Sequence, residues 1–401
     1  LANQPETPVY DASVLQWETT TSALGGAGGV MNTPLLQLSN RTTYLKQQVD
    51  KQNVIDAPGT ITVGAGQQFN TLQEAWDSLI GAIILAPVTI SIADGTYNQS
   101  IITLSKQPFS QFIRIEGNLG SPANVVFNFT PSGGVSEGMI CDGVVGLQLA
   151  GFKLQGVIGE TKRLLQSINS ASIICDSASI VFQGGDRGIE CLSSATIDAQ
   201  SMTITGCTIS VLASTSANAE VSSCNITGVS NAFGNLGIRA LGNAYIQANG
   251  VTISNAGYGI SAQDGGVVGC LGASVLNCDR GFSAQHGQII CAGSVSTDHT
   301  TFGFRAEKGG IINGLIQGSF GVVQATSALI GSQVGFSADD GGNLNVDGAA
   351  AIRQSKGYDC SQMGRIRAPN TSVNNFANTT NYDPAVSGFA SDRGGRSIEF
   401  S

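Results

Sequence analysis

The chain of 401 residues carries 53 glycines, only 12% charged residues and a formal net charge of -9. Glycine at about twice its usual share and charge at about half exclude a long coiled-coil rod, and 41% hydrophobic residues with a mean hydropathy of +0.12 exclude a disordered chain. A pI near 4.7 argues against nucleic acid as a partner, and the longest apolar stretch, residues 80–92, contains Pro87 and is too short to insert in a membrane.

Residues 1–32 show no basic start followed by an apolar run, so no secretory signal is visible, and Gly25, Gly26, Gly28 and Gly29 predict a flexible joint. Residues 33–56 are predicted as a helical segment. Leu35, Leu38, Thr42, Leu45 and Val49 recur at alternating steps of 3 and 4, which is one heptad seam. A seam this short is marginal alone; it serves beside another trimerisation surface, or as a surface helix packed on the body.

Residues 57–160 are read as a capping region with the first turns of a repeat. Residues 69–80 form the pattern of an amphipathic helix with Asn70 or Thr71 as N-cap, and Val88–Ile92 reads as a strand running into a turn at Asp94-Gly95. An open solenoid end needs a lid, and this helix suits that place.

Residues 161–370 contain the repeat. Glycine precedes an apolar anchor at Ile189, Ile238, Ile260, Phe282, Phe304, Phe336 and Tyr358, with Val211 in the same slot; the step is 22 residues from Ile238 to Phe304, then 32, then 22. Two places on come Cys191, Ala213, Ala240, Ala262, Ala284, Ala306, Ala338 and Cys360. Eight places on come Ile197, Ala219, Ile246, Val268, Ile290, Ile312, Leu344 and Ile366. A weaker rung begins at Leu165. Alternation along strands puts the anchor and the second column inside and the residue between them outside. These columns predict an all-β fold, a right-handed parallel β-helix of about 22 residues per rung, rather than a β-sandwich. The nine cysteines are odd in number and lack CxxC spacing, so they read as free, mostly buried thiols made in a reducing cytoplasm. Residues 371–401 are read as a C-terminal tail.

Three stretches resemble a known family. Leu15-Gln16-Trp17-Glu18-Thr19, Leu24-Gly25-Gly26-Ala27-Gly28-Gly29 and Asn40-Arg41-Thr42-Thr43-Tyr44-Leu45-Lys46 look like the start of bacteriophage tail-fibre and tailspike proteins. Residues 69–97 are similar to the capping region of pectate-lyase-like β-helices in that group, and Asn378-Thr379-Thr380-Asn381-Tyr382-Asp383-Pro384-Ala385 to their C-terminal tails. The resemblance implies a homotrimer on a phage tail, assembled in the host cytoplasm. Its residues 1–32 would dock on a tail or baseplate protein, and its body would bind bacterial surface polysaccharide, capsule or lipopolysaccharide, and in many relatives cleave it.

Stacked rungs turn outward columns into a surface map with a spacing of about 4.8 Å. Asp198 and Glu220, nine places after their anchors, fall on adjacent rungs. Two carboxylates about 5 Å apart suit a retaining glycosidase, one as nucleophile and the other as acid/base, and their proximity would raise one pKa. Solvated surface acids are the plainer alternative.

A second candidate is the turn ladder Gln263-Asp264, Gln285-His286, Glu307-Lys308 and Asp339-Asp340, followed by glycine at 265, 287, 309 and 341. Asp264, His286, Glu307, Lys308, Asp339 and Asp340 are the expected glycan-binding residues. A hydrolase could use Glu307 with Asp339, and a lyase could use His286 or Lys308 as base. No metal or other cofactor is expected, since Asp339–Asp347 lacks the order of a calcium repeat and only two histidines exist. Val267, Ile289 and Ile311 read as an exposed apolar strip, with Cys291 beside it, where copies meet around a threefold axis. Three functions remain open: a receptor-binding fibre, a depolymerase, and a structural tail component presenting another receptor-binding protein.

Overall fold

A computed structural model describes residues 33–50, 53–131, 134–177, 179–232, 234–314, 324–326, 334–346, 349–352, 354, 356–368, 380–383 and 397–399. The chain divides into two compact units, residues 1–58 with 81–86, and residues 59–80 with 87–401. The first holds helix α1 (Thr33–Asp50) and a short parallel pair, Val54–Ile55 with Ile83–Ile84. In α1 the seam positions Leu38, Thr42 and Leu45 are exposed. Leu35 and Val49, the other two, have side chains outside the described residues, as do residues 1–32.

The second unit is a parallel β-solenoid of about 11 turns, averaging about 25 residues each. Among the described residues its strands form three parallel sheets of 14, 11 and 12 members. A typical rung runs Tyr245–Gln247 in the first sheet, Thr252–Ser254 in the second and Tyr258–Gln263 in the third. The 22-residue step holds for the regular rungs, and insertions before Leu236 and between Asn313 and Gln324 lengthen the mean. The strands Thr380–Asp383 and Ser397–Glu399 extend the third and first sheets into the segment read as a tail.

The anchors stack in register as predicted: Ile189, Val211, Ile238, Ile260, Phe282, Phe304, Phe336 and Tyr358 are successive Cα partners, all inside. Their upper members form an aromatic stack with centroid spacings of 4.4, 5.1 and 5.2 Å from Phe282 to Tyr358. Glycine precedes every anchor except Val211, which follows Ser210, and the close approach of the next rung favours it there. A Cβ on Gly259 would lie 2.7 Å from the carbonyl oxygen of Gly281, and one on Gly281 2.6 Å from that of Gly303. Interior columns of alanine and cysteine fill the rest, and all nine cysteines are buried and outside any disulfide.

Helix α2 (Leu72–Asp77) is shorter than predicted. Thr71 is its N-cap, in a reciprocal capping box with Glu74. Trp76 is fully buried, and its indole donates to the Ser105 carbonyl at 3.0 Å. The Gln73 side chain accepts from the Thr103 amide at 2.7 Å and donates to its carbonyl at 3.0 Å. Strand Ile101–Ser105 is the terminal strand of the third sheet, so Gln73 occupies hydrogen-bonding groups that would otherwise remain an open edge.

The stack corrects one column. Val268 pairs with Ile289, not Ile290, because the preceding turn is one residue short. Most turns from the third sheet to the first place two residues in the left-handed region, such as Lys308 (φ 51°) and Gly309 (φ 71°), closed by a 2.9 Å bond from the Gly310 amide to the Glu307 carbonyl. Gln285-His286-Gly287 supplies only His286 (φ 51°), and Gly287 takes the place of Gly266 and Gly310 against the alanine carbonyl of the rung below. Ile289 therefore faces the core and Ile290 faces out.

Candidate functional site

On the outer face of the first sheet, Asp198 and Glu220 are Cα partners on adjacent strands, Thr196–Asp198 and Asn218–Glu220. The sequence reading of this pair as outward neighbours holds in geometry. Each carboxylate is steadied from its own side: Gln200 Nε2 donates to Asp198 Oδ1 at 3.1 Å, and the Ser222 amide donates to Glu220 Oε1 at 3.1 Å. Both line a shallow groove of about 300 Å³ with Ile174, Asn218, Tyr245 and Gln247.

Tyr245 is 39% exposed and stands one rung beyond Asn218. Its hydroxyl leans over Gly269, where a Cβ would come within 3.0 Å of it. The missing side chain at Gly269 lets the phenol reach across the next rung. A rigid sheet thus offers an aromatic ring, two acceptor carboxylates and the Gln247 amide on one face, which is the donor, acceptor and apolar mixture that a sugar's hydroxyls and C–H faces require.

The turn ladder does not stay together. Asp264, His286, Lys308 and Asp340 occupy left-handed turn positions and are exposed; His286 Nδ1 lies 3.6 Å from Asp264 Oδ1. Glu307 instead ends a strand of the third sheet, Phe302–Glu307, and Asp339 directly follows one, Val334–Ala338, and both turn onto its outer face. Glu307 accepts from Arg305 at 2.6 Å, from Arg280 at 3.2 Å and from Gln285 at 3.3 Å; Asp339 is 3.5 Å from Arg305. With its oxygens engaged by two guanidiniums, Glu307 is fixed as an ion-pair partner.

Sequence reasoning missed these arginines. Arg239 and Arg305 sit one place after anchors, a position already read as outward, so their column was legible but not followed. Tyr258, Arg280 and Phe302 stack in register two places before anchors. The Arg280 guanidinium lies 4.9 Å from the Tyr258 ring centroid and 5.7 Å from that of Phe302, and Arg305 lies 4.4 Å from Phe302.

The apolar strip is overturned. The outer column holds Val267, Gln288 and Ile311, since Ile289 and Cys291 are buried in the core. Among the described residues no group of three or more His, Cys, Asp or Glu is placed to hold a metal ion, and no helix is long and apolar enough to cross a membrane. Comparison with family models, with curated proteins and with solved structures finds no match to this chain. The chain is thus a parallel β-solenoid with a groove holding Tyr245, Asp198 and Glu220 on the outer face of its first sheet, and a cluster of arginines and aromatic rings on the outer face of its third.

Proposed function

We propose that this protein is a receptor-binding fibre of the phage tail-fibre and tailspike type, a right-handed, homotrimeric β-helix that adsorbs to bacterial surface polysaccharide. The observation that carries the reading is the first-sheet groove, where exposed Tyr245 stands beside Asp198 and Glu220 on a rigid surface. Carbohydrate recognition uses such a pairing of an aromatic platform with fixed hydrogen-bonding groups. The exposed seam of α1, Leu38 with Leu45, supports association of copies through that helix. Attachment to a virion tail through residues 1–32 rests on the sequence resemblance.

A second reading, depolymerase, is favoured by the register of Asp198 and Glu220 on neighbouring strands, whose separation of about 4.8 Å suits two-carboxylate glycoside cleavage. Purified protein applied to lawns of a panel of encapsulated bacteria, and tested for adsorption to the same cells, separates the two. Adsorption without clearing supports the fibre. A translucent halo abolished by Asp198→Asn or Glu220→Gln supports the depolymerase. Neither adsorption nor clearing across the panel overturns both.

A further inference from the structure

The outer face of the third sheet carries a second groove, of about 540 Å³, within the roughly 300–1,000 Å³ of small-molecule sites. Four cations, Arg239, Arg280, Arg305 and Lys308, line it, against Glu307 within it and Asp339 bonded to Arg305 beside it. Two positive charges are thus in excess, on a chain whose formal net charge is -9.

The cations are not equivalent. Glu307 pins Arg280 and Arg305, and the Tyr258 and Phe302 rings hold them in place. Arg239 bonds the neutral amide of Gln263, Nη2 to Oε1 at 2.5 Å, and among the described residues it forms no ion pair with a carboxylate. Among the described residues the buried Nε atoms of Arg239, Arg280 and Arg305 have no hydrogen-bond partner, nor has the Oγ of Ser261, directly above Arg239 in the sheet. Ile209 and Leu236 make the other end of the groove apolar, and the amides of Gln263 and Gln285 lie between. The built arrangement is an anchored guanidinium pair, one guanidinium bonded to a neutral amide, further amides and an apolar wall.

We infer that this groove binds a sugar ring carrying one carboxylate, a uronic acid residue, with the carboxylate on Arg239, hydroxyls on Gln263 and Gln285, and the ring's C–H face against Leu236. The site lies on a different sheet from Asp198 and Glu220 and does not rest on the function proposed for them. A bare carboxylate or sulfate shares the anionic chemistry but has no use for the amides and the apolar end.

Calorimetric titration of the full chain with a glucuronic-acid-containing oligosaccharide, its carboxyl-reduced counterpart and sodium sulfate tests this. The acidic sugar should bind saturably, about tenfold or more tightly than the reduced one, and more weakly as salt rises. Arg239→Met, which keeps the apolar stem, should remove that preference, and Arg239→Lys should restore part of it. Circular dichroism checks the fold; if Arg239→Met unfolds, Lys308→Met gives the reading, as a smaller loss. Equal binding of both sugars, no binding, or sulfate binding as tightly as the acidic sugar overturns the inference. A carboxylate preference that survives Arg239→Met and Lys308→Met but disappears in Tyr245→Ala also overturns it, while supporting the function proposed above.

Discussion

Inside the solenoid, Nε2 of His299 lies 2.8 Å from Oε1 of Gln354, so the proton sits on Nε2 and Nδ1 faces the Ser296 hydroxyl at 3.4 Å. Burial holds the imidazole neutral and pulls its pKa from 6.5 down to about 4, against a smaller upward pull from the Gln354 bond. The unfolded chain therefore takes up a proton between pH 6.5 and 4 that the folded chain refuses. Stability from this group is complete above pH 6.5 and is lost as pH falls toward 4, by about 3 kcal/mol. Urea unfolding of wild type and His299→Gln across this range should show a steeper acid loss in wild type; parallel curves would show that His299 does not carry it.

Tyr245 predicts a clean separation of binding from stability. It is exposed, so Tyr245→Ala should shift unfolding free energy by no more than about 0.5 kcal/mol. Cell or glycan adsorption should fall about tenfold, the weight of one aromatic platform. Gly269→Ala, which crowds the phenol hydroxyl, should reduce adsorption less. Adsorption unchanged in both variants would remove the first-sheet groove from consideration.

The short turn at His286 can be repaired. Inserting one glycine between Gly287 and Gln288 would restore the two left-handed residues that Asp264-Gly265 and Lys308-Gly309 supply on either side. The strands would keep their register, with Ile289 still inside, so the thermal midpoint should stay within a few degrees of wild type. The same insertion within strand Gln288–Ile290 should turn side chains to the wrong face and lower the midpoint sharply.

The thiols give a labelling prediction. Burial raises Cys191, Cys207, Cys224 and Cys291 to about 12, and Cys141, Cys175 and Cys270 also sit well above the ordinary value. Thiolate is the reactive form, so at pH 8 iodoacetamide should leave the native chain unmodified and label nine sites after denaturation. Mass spectrometry showing rapid native labelling would place a cysteine outside the core.

What the sequence revealed follows from what a column records. The anchor, alanine and cysteine columns were legible because each interior slot is small or apolar for a steric reason repeated on every rung, as at Gly259 and Ala262. The Ile289 shift was not, since a fixed count of eight residues hides a turn that absorbs a deletion. Outward slots were read as solvated, yet Glu190, one place after Ile189, is fully buried. It bonds Gln166 at 2.6 Å, Arg163 at 3.2 Å and Arg187. Arg163 comes from outside the regular strands, and a partner arriving from an irregular segment leaves no periodic trace. The arginine-lined groove escaped for a similar reason: its parts lie in four separate columns, and only their height on the sheet unites them.

Gln73 closing over Thr103 has a consequence for how the molecule is limited in length. Parallel sheets hydrogen-bonded this way have no internal rule for stopping, because each coil offers the next the same template it received. One side-chain amide, mimicking a backbone strand for a single residue, blocks recruitment of a stranger's strand at that end. Replacing Gln73 with alanine would expose the template, and a coil belonging to another molecule could then continue the pile.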